Sequence, residues 1–211
     1  MVHNGIIENF VELRQELRAE GCCFSSETDS EVMVHLVERC MAGGADLETA
    51  VRQALTRIKG ASAFVFLSSR EPDRIVTARL GNAGGITVGI GEGETFVASD
   101  IPAILDHTRE VVFVEDRQMA VVTRDGVEVT TLAGVPVESE FYTIPWDPVA
   151  AAKGTHRHFM QKEIYEQART VTDTIRGRAG FEVGQVHLEN LALTPEEAQS
   201  LEKMVIVACG S

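Results

Sequence analysis

Helices first and antiparallel strands after, an α+β chain, is the fold class this sequence predicts, and three observations carry it. Apolar residues recur at helical spacing as far as Gly60. From Ser62 to Leu132 the text changes to short segments rich in Val, Ile, Phe and Thr, punctuated by turn residues. The connections between those segments are too short to hold crossover helices, so the strands must pair antiparallel.

In GIIENFVELRQELRAEG, Ile6, Phe10, Leu13 and Leu17 share one face, with Ile7 and Val11 beside them, and Gly21 ends the helix. In TDSEVMVHLVERCMAGG, Thr28 and Glu31 have capping-box spacing. There Val32, Met33, Leu36, Val37 and Cys40 form the apolar stripe before Gly43-Gly44. Asp46 is placed as the next N-cap, ahead of Leu47, Val51, Leu55 and Ile58. The strand segments are SAFVFLSS, DRIVTARL, GITVGIG, ETFVAS, EVVFVED, QMAVVTRD and GVEVTTL, which read as a meander. Pro72-Asp73, Glu92-Gly93 and Asp125-Gly126 mark turns between them, and ASDIPAILDHT holds one helical turn. Prolines 136, 145 and 148 and Lys153-Gly154 make a linker from about Pro136 to Thr155. Helical period returns from about Phe159 to Arg176 through Met160, Ile164, Ala168, Val171 and Ile175. Thr194, Pro195 and Glu197 start a short capped helix, and MVIVACGS reads as a buried strand opening a further domain.

With 211 residues and 44% apolar content, the chain can bury a real core. Lys and Arg number 19 against 32 Asp and Glu, a formal net charge of −13. Such acidity argues against nucleic acid and against anionic membranes, which attract Lys/Arg clusters. No apolar run approaches the ~20 residues of a membrane span, and MVHNGIIENF is no secretory signal. Cysteines 22, 23, 40 and 209 fit neither a disulfide framework nor a zinc site, so a reducing cytoplasm is expected.

Few residues announce chemistry. Asn4 reads as an N-cap with a permissive glycine behind it, or as half of an oxyanion hole with the Gly5 N–H at a helix start. Spacing alone favours the cap. Asp29 reads as a first-turn acid favoured by the helix dipole, or as a carboxylate for a ligand ammonium, and again spacing favours the plainer role. The six histidines show no HExxH spacing, and His156-Arg157-His158 falls in what reads as a hinge, so no metal is expected. The glycines of LGNAGGITVGIGEGE read as hairpin turns, since no helix or Lys-Ser/Thr follows them. Cys22-Cys23 reads as a buried pair on or near a short strand.

VHNGIIEN, SETDSEV, FVASDIPAIL and HRHFMQKEIYEQ, in that order, resemble the glutamine–fructose-6-phosphate aminotransferase (isomerising) family, the glucosamine-6-phosphate synthases. MVIVACGS is similar to the first strand and turn of that family's sugar-isomerase domain. HNGIIEN and TDSE by themselves mark the broader class II glutaminases, such as amidophosphoribosyltransferase. FMQKEIYEQ narrows the resemblance. A non-catalytic interaction module built on the same fold is the alternative of another kind.

The resemblance implies a partial N-terminal-nucleophile hydrolase: an αββα sandwich of two antiparallel sheets between helical layers, then a hinge and the start of an α/β sugar-isomerase domain. Residues 1–144 would be the later part of the glutaminase domain, 145–158 the hinge, and 159–211 the start of the isomerase. It implies glutamine and fructose 6-phosphate as substrates, no cofactor, and a homodimer at full length. It assigns Asn4 and Gly5 to the oxyanion hole and Asp29 to the α-amino group of glutamine. The family's nucleophile is a cysteine opening the mature chain, whose own α-amine acts as base. Position 1 here is Met1, so the sequence reads as an internal segment of such an enzyme or a truncated gene product, inactive alone, without that cysteine and the substrate-carboxylate arginine, which the family carries upstream of HNGIIEN.

Overall fold

The structure, a computed structural model, describes residues 1–145, 154–180, 184–186 and 193–205. The chain divides into two compact units, Met1–Ala152 and Lys153–Ser211.

In the first unit a strand, β1 (Val2–Gly5), precedes three helices: α1 (Phe10–Ala19), α2 (Asp29–Ala42) and α3 (Leu47–Leu55). Seven strands follow: β2 (Ser62–Ser68), β3 (Glu71–Leu80), β4 (Thr87–Ile90), β5 (Thr95–Ala98), β6 (Glu110–Phe113), β7 (Gln118–Thr123) and β8 (Gly126–Thr131). A 3-10 turn at Ile101–Ala103 separates β5 from β6, and β9 (Tyr142–Thr143) comes last. The strands form two sheets, ordered β1-β2-β3-β7-β8 and β5-β4-β6-β9. Every pairing is antiparallel.

Side chains alternate between faces along each strand, and that alternation builds the layers. Phe64, Phe66, Val76, Ala78 and Met119 face the helices and pack on Leu13, Leu17, Val32, Met33, Leu36 and Val51. The opposite face of the same sheet, Ala63, Ala120, Val122 and Val129, meets Ile86, Val88, Val112 and Val114 of the second sheet and its flanks. On the outer face of the second sheet, Val111 packs with Ile104, Leu105 and Ile144. The helix stripes are thus the reason the helices exist as a layer. Asp46 caps α3 as its position predicts, accepting from the Thr49 N–H at 2.9 Å.

Several local expectations are corrected. Residues 2–5 are strand, and α1 starts at Phe10 rather than behind Gly5. Consequently Ile6 is 65% exposed while Ile7 is fully buried. The pairing of β1 with β2, Asn4 opposite Ala63, is non-local and leaves no trace in helical period. Thr28 is the N-cap of α2 but makes no side-chain cap; Glu31 turns instead to the amides and hydroxyls of Ser25 and Ser26. Cys22 and Cys23 lie outside any strand, and Cys23 is exposed. The β2–β3 turn falls at Ser69-Arg70, because Ser68 pairs with Glu71 and Pro72 is already within β3. Likewise Thr123 pairs with Gly126, placing the next tight turn at Arg124-Asp125. The strands are not one meander: β3 pairs with β7, and β4 to β6 fold away into the second sheet. Part of the expected linker belongs to the first unit, where the Val137 N–H donates to the Val129 carbonyl and Ile144 is buried.

The second unit shows α4 (Phe159–Ile175), a hairpin of β10 (Ala179–Gly180) with β11 (Gln185–Val186), and α5 (Pro195–Ser200). Thr194 and Glu197 form a reciprocal capping box on α5. On α4 the apolar residues Met160, Ile164, Val171 and Ile175 are exposed. Most of the expected hinge and the strand segment from Ile206 onward, with Cys209, lie outside the described residues.

Candidate functional site

Among the described residues, the site begins at the edge of the five-stranded sheet, where β1 lies. Ile6 and Glu8 extend its ladder, donating to Ala61 O at 3.1 Å and Lys59 O at 2.9 Å. An antiparallel ladder alternates inward and outward groups. The N–H groups of Gly5 and Ile7 therefore point away from β2, toward the edge of the sheet. Asp29, the first residue of α2, stands at that edge: its Oδ2 accepts from the Ile7 N–H at 2.8 Å. Its other oxygen accepts from no described residue.

Gly5 is fixed by geometry. Its φ is +128°, and an added Cβ would lie 2.2 Å from Ala61 O and 2.8 Å from Ser62 Cα. Asn4 projects from the other face of β1, toward the loop between β3 and β4. There Gly84, φ +126°, lies so close that an added Cβ would stand 2.6 Å from Asn4 Nδ2. The Asn4 amide thus rests on bare backbone.

The structure ties Asp29 to the strand that carries Asn4 and Gly5, through the Ile7 N–H. No helix starts behind Gly5, so no helix dipole aims there. Asp29 does lie in the first turn of its helix, as its position predicts.

The neighbours of these residues carry no signal in the sequence. His3 sends Nδ1 to Ser30 Oγ at 2.8 Å and Nε2 to Ser62 Oγ at 3.2 Å. Its ring stacks on Phe64, centroids 4.5 Å apart. Burial lowers the His3 pKa below its ordinary value, against an opposing pull from the Asp29 carboxylate. Neutral imidazole offers one donor and one acceptor, and the two serine hydroxyls satisfy both. Arg14, buried between Phe10 and Phe24, donates to the Thr28 carbonyl at 2.6 Å and so holds the residue before Asp29. Histidine spacing was informative only for metals, and among the described residues no group of three or more His, Cys, Asp or Glu could hold one.

Residues 1–106 match the model of the glutamine amidotransferase domain. The chain belongs to that family. Within it, the glutamine–fructose-6-phosphate aminotransferase [isomerizing] of Symbiobacterium thermophilum is 46% identical over 211 residues, all of this chain and 34% of that protein. The enzyme of the same name from Chlorobaculum tepidum is 43% identical over 213 residues, with the same shares. This chain therefore spans about a third of the length of the curated relatives it matches. Among solved structures, the glutamine phosphoribosylpyrophosphate amidotransferase of B. subtilis superposes with TM-score 0.53 at 26% identity. That match covers 62% of this chain and 28% of that one. The antiparallel double-sheet fold is thus that of the class II, N-terminal-nucleophile amidotransferases. No described helix is long and apolar enough to cross a membrane.

Proposed function

We propose that this chain contributes the oxyanion and ammonium sites of a glutaminase, within an enzyme that uses glutamine to convert fructose 6-phosphate to glucosamine 6-phosphate. The observation that carries the reading is the Asp29–Ile7 bond. It ties a carboxylate with one oxygen still open to the backbone just after Asn4 and Gly5. A glutamine whose ammonium meets Asp29 would present its side-chain amide to Asn4 and Gly5. As a nucleophile attacks that amide carbon, negative charge gathers on the carbonyl oxygen. Preorganised N–H donors stabilise it without reorganisation at the moment of reaction.

The attacking group is a thiolate in this reading, and none of the described cysteines supplies it. Cys22 and Cys40 pack against the helical core, and Cys23 sits exposed in the loop before α2. The nucleophile comes from a cysteine segment outside residues 1–211, whose own α-amine takes the thiol proton. Ammonia released from the thioester step passes to the isomerase, which residues 159–211 begin after a hinge at 145–158. Identity running through the whole chain, α4 included, favours this enzyme over amidophosphoribosyltransferase. Free thiols suit a cytoplasmic enzyme, and we assign it a homodimer without cofactor.

Ammonia release from glutamine tests the reading, first with the 211-residue chain and then with a cysteine-initiated segment joined upstream. The chain alone should be silent and the extended version active. In the extended version Asn4→Ala should lower kcat on the order of 10²–10³, the loss of one oxyanion donor. Asp29→Ala should raise KM, because the ammonium contact is already made in the ground state. Turnover by the chain alone, or an unchanged kcat in Asn4→Ala, would overturn the assignment.

A further inference from the structure

We propose that His3 is a positioning residue that, through Ser30, locks the strand carrying Asn4 and Gly5 onto the helical turn carrying Asp29. The inference rests on the glutaminase reading above and adds to it a residue that touches neither substrate nor reacting atoms.

The geometry is a clamp with two jaws on one helical turn. Asn4 and Gly5 lie between His3 and Ile7. On one side the His3 ring reaches Ser30 at 2.8 Å; on the other the Ile7 N–H reaches Asp29 at 2.8 Å. Ser30 and Asp29 are consecutive in the first turn of α2. The second ring nitrogen of His3 holds Ser62, fully buried and directly across the ladder from Gly5. One imidazole therefore fixes β1 relative to both α2 and β2. Packing alone does not demand this: stacking on Phe64 needs only a flat ring, whereas the two serine bonds need ring nitrogens. Oxyanion donors and ammonium site are useful together only at a set separation, and a 1 Å displacement can cost about 10²-fold in rate. Asp29 is the charged group that acts on His3; Ser30, Ser62 and Phe64 are its neutral neighbours from α2 and β2.

His3→Phe keeps the stack and loses both bonds, Ser30→Ala removes one jaw, and His3→Asn keeps an amide near the Nδ1 position. In the 211-residue chain, amide hydrogen exchange at Ile6 and Ile7 should quicken about tenfold in His3→Phe and Ser30→Ala, the size of one lost net hydrogen bond. Exchange at Val76, in the middle of the sheet, should stay as it was. Unchanged exchange at Ile6 and Ile7 would overturn the clamp, and so would equal acceleration at Val76, which would make His3 a packing residue. In the cysteine-extended version, both substitutions should lower kcat on the order of tenfold or more while KM for glutamine moves little. The double variant should be no slower than the slower single one, and His3→Asn should recover part of the loss. An unchanged kcat in His3→Phe, alongside a slow Asn4→Ala variant, would sink this inference alone. An Asn4→Ala variant at full speed would sink the glutaminase reading, leaving the exchange measurement to judge the clamp.

Discussion

Gly5 tolerates less change than any neighbour at the site. A methyl group there meets the Ala61 carbonyl oxygen at 2.2 Å, and backbone cannot swing aside as a flexible side chain can. Adding the strain of φ +128°, Gly5→Ala should destabilise the first unit by about 2–4 kcal/mol, read from urea midpoints. The adjacent isoleucines give an internal contrast. Ile7→Ala empties a filled core position and should cost about 2–5 kcal/mol, whereas Ile6→Ala should stay within about 0.5 kcal/mol. Comparable losses at both would contradict the strand register. Glu31 sets a pH dependence. Hydrogen bonds from Ser26 and Ser25 hold its pKa down to about 2, against an ordinary 4.5. A carboxylate with a depressed folded pKa stabilises fully above its unfolded value and loses that contribution as pH falls toward the folded one. Glu31→Gln should therefore lower Tm at pH 7, and the gap to the parent should close between pH 4.5 and pH 2. A gap that widened on acidification would show that the serine bonds do not favour the charged form. At the candidate site, Asn4 and Asp29 stand out in the sequence as candidates because a motif carries them. His3 does not, since what marks it is a pair of serines on two other elements.

Among the elements, those defined locally were readable and those defined by a distant partner were not. Asp46 and the apolar stripe behind it announce α3, and Thr194, Pro195 and Glu197 announce α5, because cap and stripe are neighbours in sequence. The seven segments from Ser62 to Leu132 alternate visibly and became β2 to β8. β1 was hidden: four residues whose ladder lies across α1, α2 and α3. β9 is two residues long and holds its place through Glu110 and Val111 of β6. The same distinction governs α2. Its stripe was legible, but its capping box was not realised, since Glu31 serves the preceding Ser25-Ser26 turn rather than the helix start. Arg52 of α3 reaches the Thr131 carbonyl at 2.7 Å and Thr130 Oγ1 at 3.0 Å, joining the helical layer to β8. Arg52→Ala should cost about 1–3 kcal/mol in the first unit, as a charged group's hydrogen bonds to part-buried acceptors are lost. A midpoint within error of the parent would mean that the apolar face of α3 alone holds that layer.

At the scale of the whole chain, the two units differ in how their apolar residues are treated. The first buries its stripes in three successive clusters. On α4 of the second, Met160 and Ile164 stand 72% and 54% exposed on one helical face. An apolar face open to water promotes association, and a charge of −13 opposes it only at long range. Light scattering should show self-association that grows with salt, and Met160→Glu with Ile164→Glu should reduce it. A chain that stays monomeric in 0.5 M salt, where screening is nearly complete at about 4–5 Å, would contradict that expectation.

The register of β1 bears finally on time rather than geometry. Asn4 and Gly5 are made well before their ladder partners, Ala63 and Ser62. Three helices must be synthesised before that edge can close, and closing so long a loop is among the slower steps a small domain takes. Asp29 and Ser30 can settle into α2 long before the strand they hold has anywhere to lie. Asn4 and Gly5 thus take their places after Asp29, in opposite order to their synthesis. A nascent chain stalled short of β2 would carry Asn4, Gly5, Asp29 and Ser30 and lack the ladder that seats the first two.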